Sequence, residues 1–361
     1  MRNEAPFVLE WVAYHRSIGF TDFLVFTNDC DDGTDRLLDG LAEAGYVQHL
    51  DNPWKRMKNR INPQKGALRY AEDLPIVADV DRILVSDVDE FVNIHVADGS
   101  LDALFKVLDP DTDAIAMQWR LFGNADVDRF RDRWITEQFD MCAPELCTSP
   151  IQAWAVKTLF RTDGPGLAGK YSRFGVHRPV NPIKSVRDQI KFLNGSGDPV
   201  LDKFIDQGWR FGTGNYGYGL VTLNHYAVRS AESFLVKRAR GRVNHTQRDQ
   251  DLAYWLRMNF NMERDRSIQP KLDRAKAELD AMLTRHPKLA DLHAAGVAAH
   301  RDKIEQLKSV EVEQAFHSEI TGDRLRKISR HLNLLKRKHF SDGPQSIPSS
   351  VWTRVERVVP I

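Results

Sequence analysis

The sequence predicts an α/β protein, a parallel, doubly wound sheet, followed by a C-terminal helical appendage. Three observations predict it. Short apolar runs of strand length alternate with segments of helical period over roughly the first 120 residues. Two polar clusters, Asn28-Asp29 and Asp87-Val88-Asp89, each follow directly on an apolar run. From residue 269 the chain becomes charged and rich in Ala and Leu, with few turn signals apart from Pro287 and Gly296.

Phe7, Val8, Trp11, Val12 and Ile18 fall near helical spacing, with Pro6 in the first turn and Gly19 as the stop. Thr21 to Thr27 reads as a short buried strand, Asn28 to Thr34 as a polar turn, and Asp35 to Ala44 as a second helix closed by Gly45. Tyr46 to Leu50 reads as a strand and Gln64 to Glu72 as a helix. A strand then runs into Asp87 and Asp89, and another covers Asp113 to Trp119. Residues 123–220 are rich in Gly, Pro and aromatics and read as loops and short strands over the sheet edge. Residues 230–262 turn helical again. In such sheets ligands sit at the carboxyl ends of the strands, where both polar clusters fall.

Composition sets bounds. The 361 residues leave room for one large α/β domain and an appendage. Lys and Arg total 51 against 50 for Asp and Glu, so no overall field favours nucleic acid. Cys30, Cys142 and Cys147 form an odd set without metal-ligand spacing and read as reduced thiols of a cytoplasmic protein. The opening residues do not read as a secretory h-region, and no apolar run approaches the about 20 residues of a membrane span.

The segment Arg82 to Phe91 carries the most chemistry. Side chains alternate along a strand, so Asp87 and Asp89 are expected on one face at the strand end. Two carboxylates there suit a hard divalent ion that also holds phosphates; a solvated acidic turn is the alternative. Leu220 to Leu223 reads as a strand delivering Asn224-His225-Tyr226, where His225 can complete a metal shell, touch a diphosphate, or be structural. Arg229, Lys237 and Arg240 follow on a helix, as phosphate donors or a solvated face. His177-Arg178-Pro179 is a second candidate cluster.

Several blocks together carry a family resemblance. Arg2-Asn3-Glu4-Ala5-Pro6, Leu9-Glu10-Trp11, Tyr14-His15 and Gly19-Phe20 resemble the opening of family-2-like glycosyltransferases of the GT-A fold. The branch is the one with an Arg/Lys-Asn-Glu start, then Glu-Trp-x-x-Tyr-His. Asn28-Asp29 with Asp32-Gly33-Thr34 is similar to its nucleotide loop, and Asp87-Val88-Asp89-Glu90-Phe91 to its metal motif. Trp119 to Gly123 and Asn224-His225-Tyr226, followed by Ser230, Phe234, Lys237, Arg240 and Gly241, resemble its later blocks. The likeness spans roughly residues 2–265.

The resemblance implies a GT-A type doubly wound mixed sheet with a Rossmann-like nucleotide-binding half. Residues 1–265 would form the glycosyltransferase domain, with a donor and metal half at 1–120 and an acceptor half at 121–265. Residues 266–345 would be the helical appendage and 346–361 a tail. It implies a metal-dependent transfer of sugar from a nucleotide-sugar donor to a glycan or lipid-linked acceptor hydroxyl, inverting in course, in surface polysaccharide or related glycan assembly. Asp87, Asp89 and His225 would hold Mn²⁺ or Mg²⁺. Glu4, Asn28, Asp29, Asp32, Asp87, Arg229 and Lys237 would bind the donor. A plain turn at Asn28-Asp29 and a helix N-terminal carboxylate at Glu4 are the competing readings. Glu137, ahead of Asp140 and Glu145, would be the base, with His225 beside the chemistry.

Two further expectations concern the ends. The family has an apolar strand directly before its Asn-Glu motif, whereas here only Met1 precedes Arg2. The expectation is that the true start lies upstream, since the missing strand would split the sheet and leave two inner edges unpaired. Residues 323–339 carry seven Lys or Arg and Asp323 alone as acid, with Leu325, Ile328, Leu332 and Leu335 at helical spacing. They read as a basic amphipathic helix for peripheral contact with the inner face of a membrane, or as a packed helix with a solvated basic face. The competing functions are a GT-A-like nucleotidyltransferase, which normally has a Gly-rich phosphate loop not visible here, and a degenerate scaffold or binding module. A phosphohydrolase is disfavoured by Phe91 after the acidic motif.

Overall fold

The computed structural model describes residues 1–57, 62–162, 169–241 and 250–357. Part of the expected helical stretch 230–262 and the end of the tail lie outside the described residues. Helix α1 (Ala5–Ser17) is buried from Ala5 to His15. A helix so apolar on every side belongs in a core rather than on a surface. It leads through Gly19, at φ +111°, to strand β1 (Leu24–Thr27). Helix α2 (Thr34–Glu43) then returns the chain to β2 (Gln48–Asp51), which pairs parallel with β1. Helices α3 (Pro63–Ala71) and α4 (Pro75–Ala78) lead to β3 (Arg82–Leu84).

After β3 come β4 (Glu90–Ile94), α5 (Leu101–Val107) and the long β5 (Ala114–Leu121). The chain continues through α6 (Ile135–Gln138), β6 (Met141–Cys142) and β7 (Val156–Arg161). Strands β8 (Tyr171–Arg173) and β9 (Val180–Pro182) form a hairpin, followed by β10 (Phe192–Asn194), α7 (Lys203–Asp206) and β11 (Val221–His225). The main sheet has the order β3-β7-β5-β11-β4 and is mixed. β7 runs antiparallel to β3 and β5, while β11 is parallel to β5 and antiparallel to β4. β10 and β11 share one edge of β5, at Ala114–Ala116 and Trp119–Leu121 respectively.

The sheet is divided, as expected. β1 and β2 form a separate pair, and among the described residues no strand lies between β1 and β3. Met1 also stands beside β1: its amine donates to the Phe26 carbonyl, and Asn28 N donates to Met1 O at 3.2 Å, the pattern of a parallel bridge.

The strand expected to carry Asp87 and Asp89 is shorter than its apolar run suggests. β3 ends at Leu84, and both aspartates lie in the turn before β4. The cause is Glu90, whose Oε2 accepts from Asp87 N at 2.8 Å and Ser86 Oγ at 3.1 Å, while Glu90 N donates to Asp87 O. The chain folds back on that carboxylate, so strand alternation no longer sets where the two aspartates point.

The C-terminal region is helical: α8 (Ala231–Ala239), α9 (Leu252–Met258), then, past the short β12 (Glu263–Arg264), α10 (Leu272–Arg285) and α11 (Lys288–Lys308). α10 and α11 lie against α1, and α11 also against α2 and α8. Gly296 permits the approach: a Cβ there would sit 2.4 Å from Ala5 Cβ. His300 packs edge-on to Phe7 and Phe130, at 5.6 and 4.6 Å between ring centres.

Helix α12 (Glu311–Ile320) precedes the basic segment, which is not one helix. It comprises α13 (Asp323–Ser329), a 3-10 turn at Leu332–Leu334 and α14 (Arg337–Asp342), followed by α15 (Ser349–Arg357). Leu325, Ile328, Leu332 and Leu335 are buried in a core shared with Phe234 and Trp255, so this apolar stripe faces protein rather than a membrane. Arg326 and Arg330 pair with Asp128 and Asp126. Among the described residues no helix is long and apolar enough to cross a membrane. Cys30, Cys142 and Cys147 are unpaired thiols.

Candidate functional site

A cleft of about 2090 Å³ runs along the gap between β1 and β3 and opens beside the turn before β4. Glu4, Asn28, Asp87, Asp89, His225 and Lys237 line it. These six come from five separate stretches of sequence.

Glu4 is buried and receives the guanidinium groups of Arg229, at 2.7 Å, and Arg240. Burial alone would raise its carboxyl, but the two arginines hold it below the usual carboxylate range. Arg240 also donates to the carbonyls of Arg2 and Asn3, and Arg2 returns a bond to Arg240 O. Glu4 thus ties α1 to α8, with Arg240 on the cleft wall and Arg229 beneath, over the Phe7 ring. With both oxygens engaged, Glu4 acts on the cleft through these arginines.

The aspartates have separate partners. Asp89 is buried, 2.7 Å from Lys237 Nζ and 3.7 Å from His225 Nε2. Burial opposes its ionisation, yet Lys237 and His225 hold it well below its ordinary value. Asp87 is half exposed and meets Lys157 Nζ at 3.0 Å. Lys157 is fully buried and also 3.5 Å from Glu90. Desolvation would lower its ammonium, but Asp87 and Glu90 raise it. Glu90 Oε1 accepts from Trp119 Nε1 at 2.9 Å, and the Trp119 ring leans on His225 with centres 4.1 Å apart.

Other expected residues stand elsewhere. Asp29, at φ +52°, points outward to Lys55. Asp32 joins two helix starts, accepting from Ala5 N at 3.1 Å and Thr34 N at 2.9 Å, which leaves it a structural joint. Glu137 lies on α6, pairs with Lys276 and does not line the cleft, so the base expected there is not at the site.

Residues 1–153 match the model of glycosyltransferase family 92. A glycosyltransferase family 92 protein of Oryza sativa subsp. japonica is 30% identical over 94 residues, which is 26% of this chain. The chain matches only 15% of that relative's length. Both comparisons liken part of this chain to proteins named as glycosyltransferases. The matched segment contains Glu4, Asn28, Asp87 and Asp89, while Lys157, His225 and Lys237 lie beyond it.

Among the described residues no three His, Cys, Asp or Glu side chains already converge on one point. The donor set nonetheless suits a hard divalent ion. Asp89 Oδ1 and His225 Nε2 are 3.7 Å apart, wider than the roughly 3.0 Å between adjacent ligands of an octahedral ion bound at about 2.1 Å, so the two would have to close on an ion to hold it. His225 Nδ1 is buried without a partner among the described residues.

Lys157, Trp119 and Trp209 were not among the expected site residues. Lys157 carried a signal, as a lone charge inside the apolar run Ala155 to Phe160. Trp209 sits in an irregular stretch whose place is set by Val156 N donating to Trp209 O and Phe211 N to Trp154 O, pairings that sequence does not announce.

Proposed function

We propose that this chain is a nucleotide-sugar-dependent glycosyltransferase with a GT-A type arrangement, acting on a glycan or lipid-linked acceptor. The observation that carries the reading is the grouping of Asp89, His225 and Lys237 at 2.7 and 3.7 Å on the wall of a cleft that Asn28 and Asp87 also line. Asp87, Asp89 and His225 would hold Mn²⁺ or Mg²⁺, which supplies charge neutralisation for a diphosphate leaving group. Lys237 and Arg240 present charge-assisted donors for phosphate oxygens on the same wall. Asn28, at the end of β1, presents an amide toward the nucleoside, with Met1 and Arg2 beside it. Trp119 holds the His225 ring against the Asp89 side, which orients it without spending a hydrogen bond. With Glu137 outside the cleft, the inverting course loses its expected base and rests on other groups facing the acceptor.

One observation favours a second reading. Each aspartate is already matched by a lysine, as a silent nucleotide-binding module would tolerate. Thermal stability with UDP, GDP, dTDP and CMP, with and without Mn²⁺, tests the donor site. A ligand at ~100 times its Kd stabilises by roughly 2.7 kcal/mol. A shift with one nucleotide, enhanced by Mn²⁺ and lost in Asp87→Ala/Asp89→Ala, supports the transferase; slow hydrolysis of the matching nucleotide-sugar separates it from the silent module. No shift with any nucleotide would sink the donor site.

A further inference from the structure

The cleft wall beyond His225 carries a row of rings. Trp119 leans on His225 at 4.1 Å, His177 meets Trp119 at 6.0 Å, and Trp209 tilts on His177 at 5.6 Å between ring centres. All four line the cleft, and the row leads away from Asp89 to an indole that is 38% exposed. An exposed tryptophan inside a cleft is an apolar face with a polar edge left open to a ligand.

His177 is fixed in orientation. Its Nδ1 lies 3.0 Å from the Val156 carbonyl, so that nitrogen carries the hydrogen and Nε2 is left as an acceptor. Nε2 makes no hydrogen bond among the described residues. Burial and the nearby Lys157 ammonium hold the ring neutral, with its pKa lowered to about 4. Trp209 is held by its own backbone, the carbonyl accepting from Val156 N at 3.3 Å, and Arg210 stands 5.4 Å from its ring centre. Both rings are therefore anchored to the first residue of β7, next to buried Lys157.

We propose that Trp209 and His177 form the acceptor-sugar subsite: the apolar face of a pyranose stacks on the Trp209 indole while one of its hydroxyls donates to His177 Nε2. This rests on the transferase reading and adds which wall takes the acceptor and by what chemistry. A pyranose offers C–H groups on one face and hydroxyls at its rim, which matches an indole face beside a bare imidazole nitrogen. The arrangement selects an acceptor with an apolar ring face rather than a charged or peptide acceptor.

The test uses the full chain labelled with 5-fluorotryptophan, with Trp209 assigned by Trp209→Phe. Methyl glycosides of β-D-glucose, β-D-galactose, α-D-mannose and β-D-xylose are titrated with and without the nucleotide that stabilises the protein most. The Trp209 fluorine signal should move saturably with at least one glycoside, and His177→Ala should weaken that binding by about tenfold. Signals of tryptophans far from the cleft, such as Trp352, should stay still. If no glycoside moves Trp209, the subsite is overturned. The nucleotide arm then shows which reading failed: a retained nucleotide shift leaves the donor site standing, and its loss removes both. His177→Ala binding glycosides as tightly as the parent would overturn the imidazole's part.

Discussion

Lys237 reaches from α8 to the turn before β4 and sets its ammonium 2.7 Å from Asp89 Oδ2, with only 12% and 9% of the two side chains exposed. Removing one partner of such a buried pair strands the other, which typically costs about 3–5 kcal/mol. Lys237→Ala should lose that much in urea unfolding, and Asp89→Asn/Lys237→Met should recover most of it. A single-variant loss below about 1 kcal/mol would mean that water already reaches the pair.

Glu137, on α6, forms an exposed pair with Lys276 of α10, away from the cleft. Exposed pairs are worth about 0–1 kcal/mol. Glu137→Gln should therefore keep stability and should hold the kcat of sugar transfer within about twofold. A loss of about a hundredfold, the scale of a missing general base, would return Glu137 to the chemistry.

His15 is buried between Trp11 O, 2.8 Å from Nδ1, and Val92 N, 3.3 Å from Nε2. That arrangement needs the neutral ring, and burial lowers its pKa from 6.5 to about 4. Between those values the unfolded chain binds the extra proton, so stability falls as pH drops from 6.5 toward 4. The contribution is roughly 3 kcal/mol across the window. His95, His177 and His300 are lowered in the same sense by burial. Unfolding free energy measured at pH 7.5, 6 and 5 should decline accordingly, and His15→Gln should flatten the curve by about one proton. An unchanged slope would place His15 in water in the folded state.

Gly296 lets α11 touch α1 one residue after Glu4. Gly296→Ala should cost about 1–3 kcal/mol by overpacking. Because α1 begins at the Glu4 clamp, nucleotide-induced stabilisation should weaken in the same variant. Full stability in Gly296→Ala would show that the helical layer yields at this contact.

The early elements were legible because each is set by local pattern. α1, β1, α2, β2, α3 and β5 lie within a few residues of the bounds read from periodicity and punctuation. The carboxylate pair was legible as a cluster but not as a geometry. Glu90, three residues past Asp87, folds the turn and sends the two aspartates to different lysines. The basic tail was legible in its periodicity, yet periodicity cannot say whether the apolar stripe meets protein or lipid. The place of Glu137 outside the cleft was not legible for a similar reason, since neighbours in a loop-rich stretch do not reveal which surface a short helix presents.

The sequence by itself determined the alternation of strand and helix and the presence of Asn28, Asp87, Asp89, His225 and Lys237. These follow from short-range steric and hydrophobic preferences and from residue chemistry. Only the tertiary structure decided that Lys157 and Lys237 neutralise the aspartates, that Arg229 and Arg240 clamp Glu4, and that Trp209 ends a row of rings starting at His225. Those partners lie 70 to 236 residues apart in pairs such as Asp87–Lys157 and Glu4–Arg240. Contacts of that span depend on how the sheet edge, the loops and the helical layer pack, which no local pattern encodes.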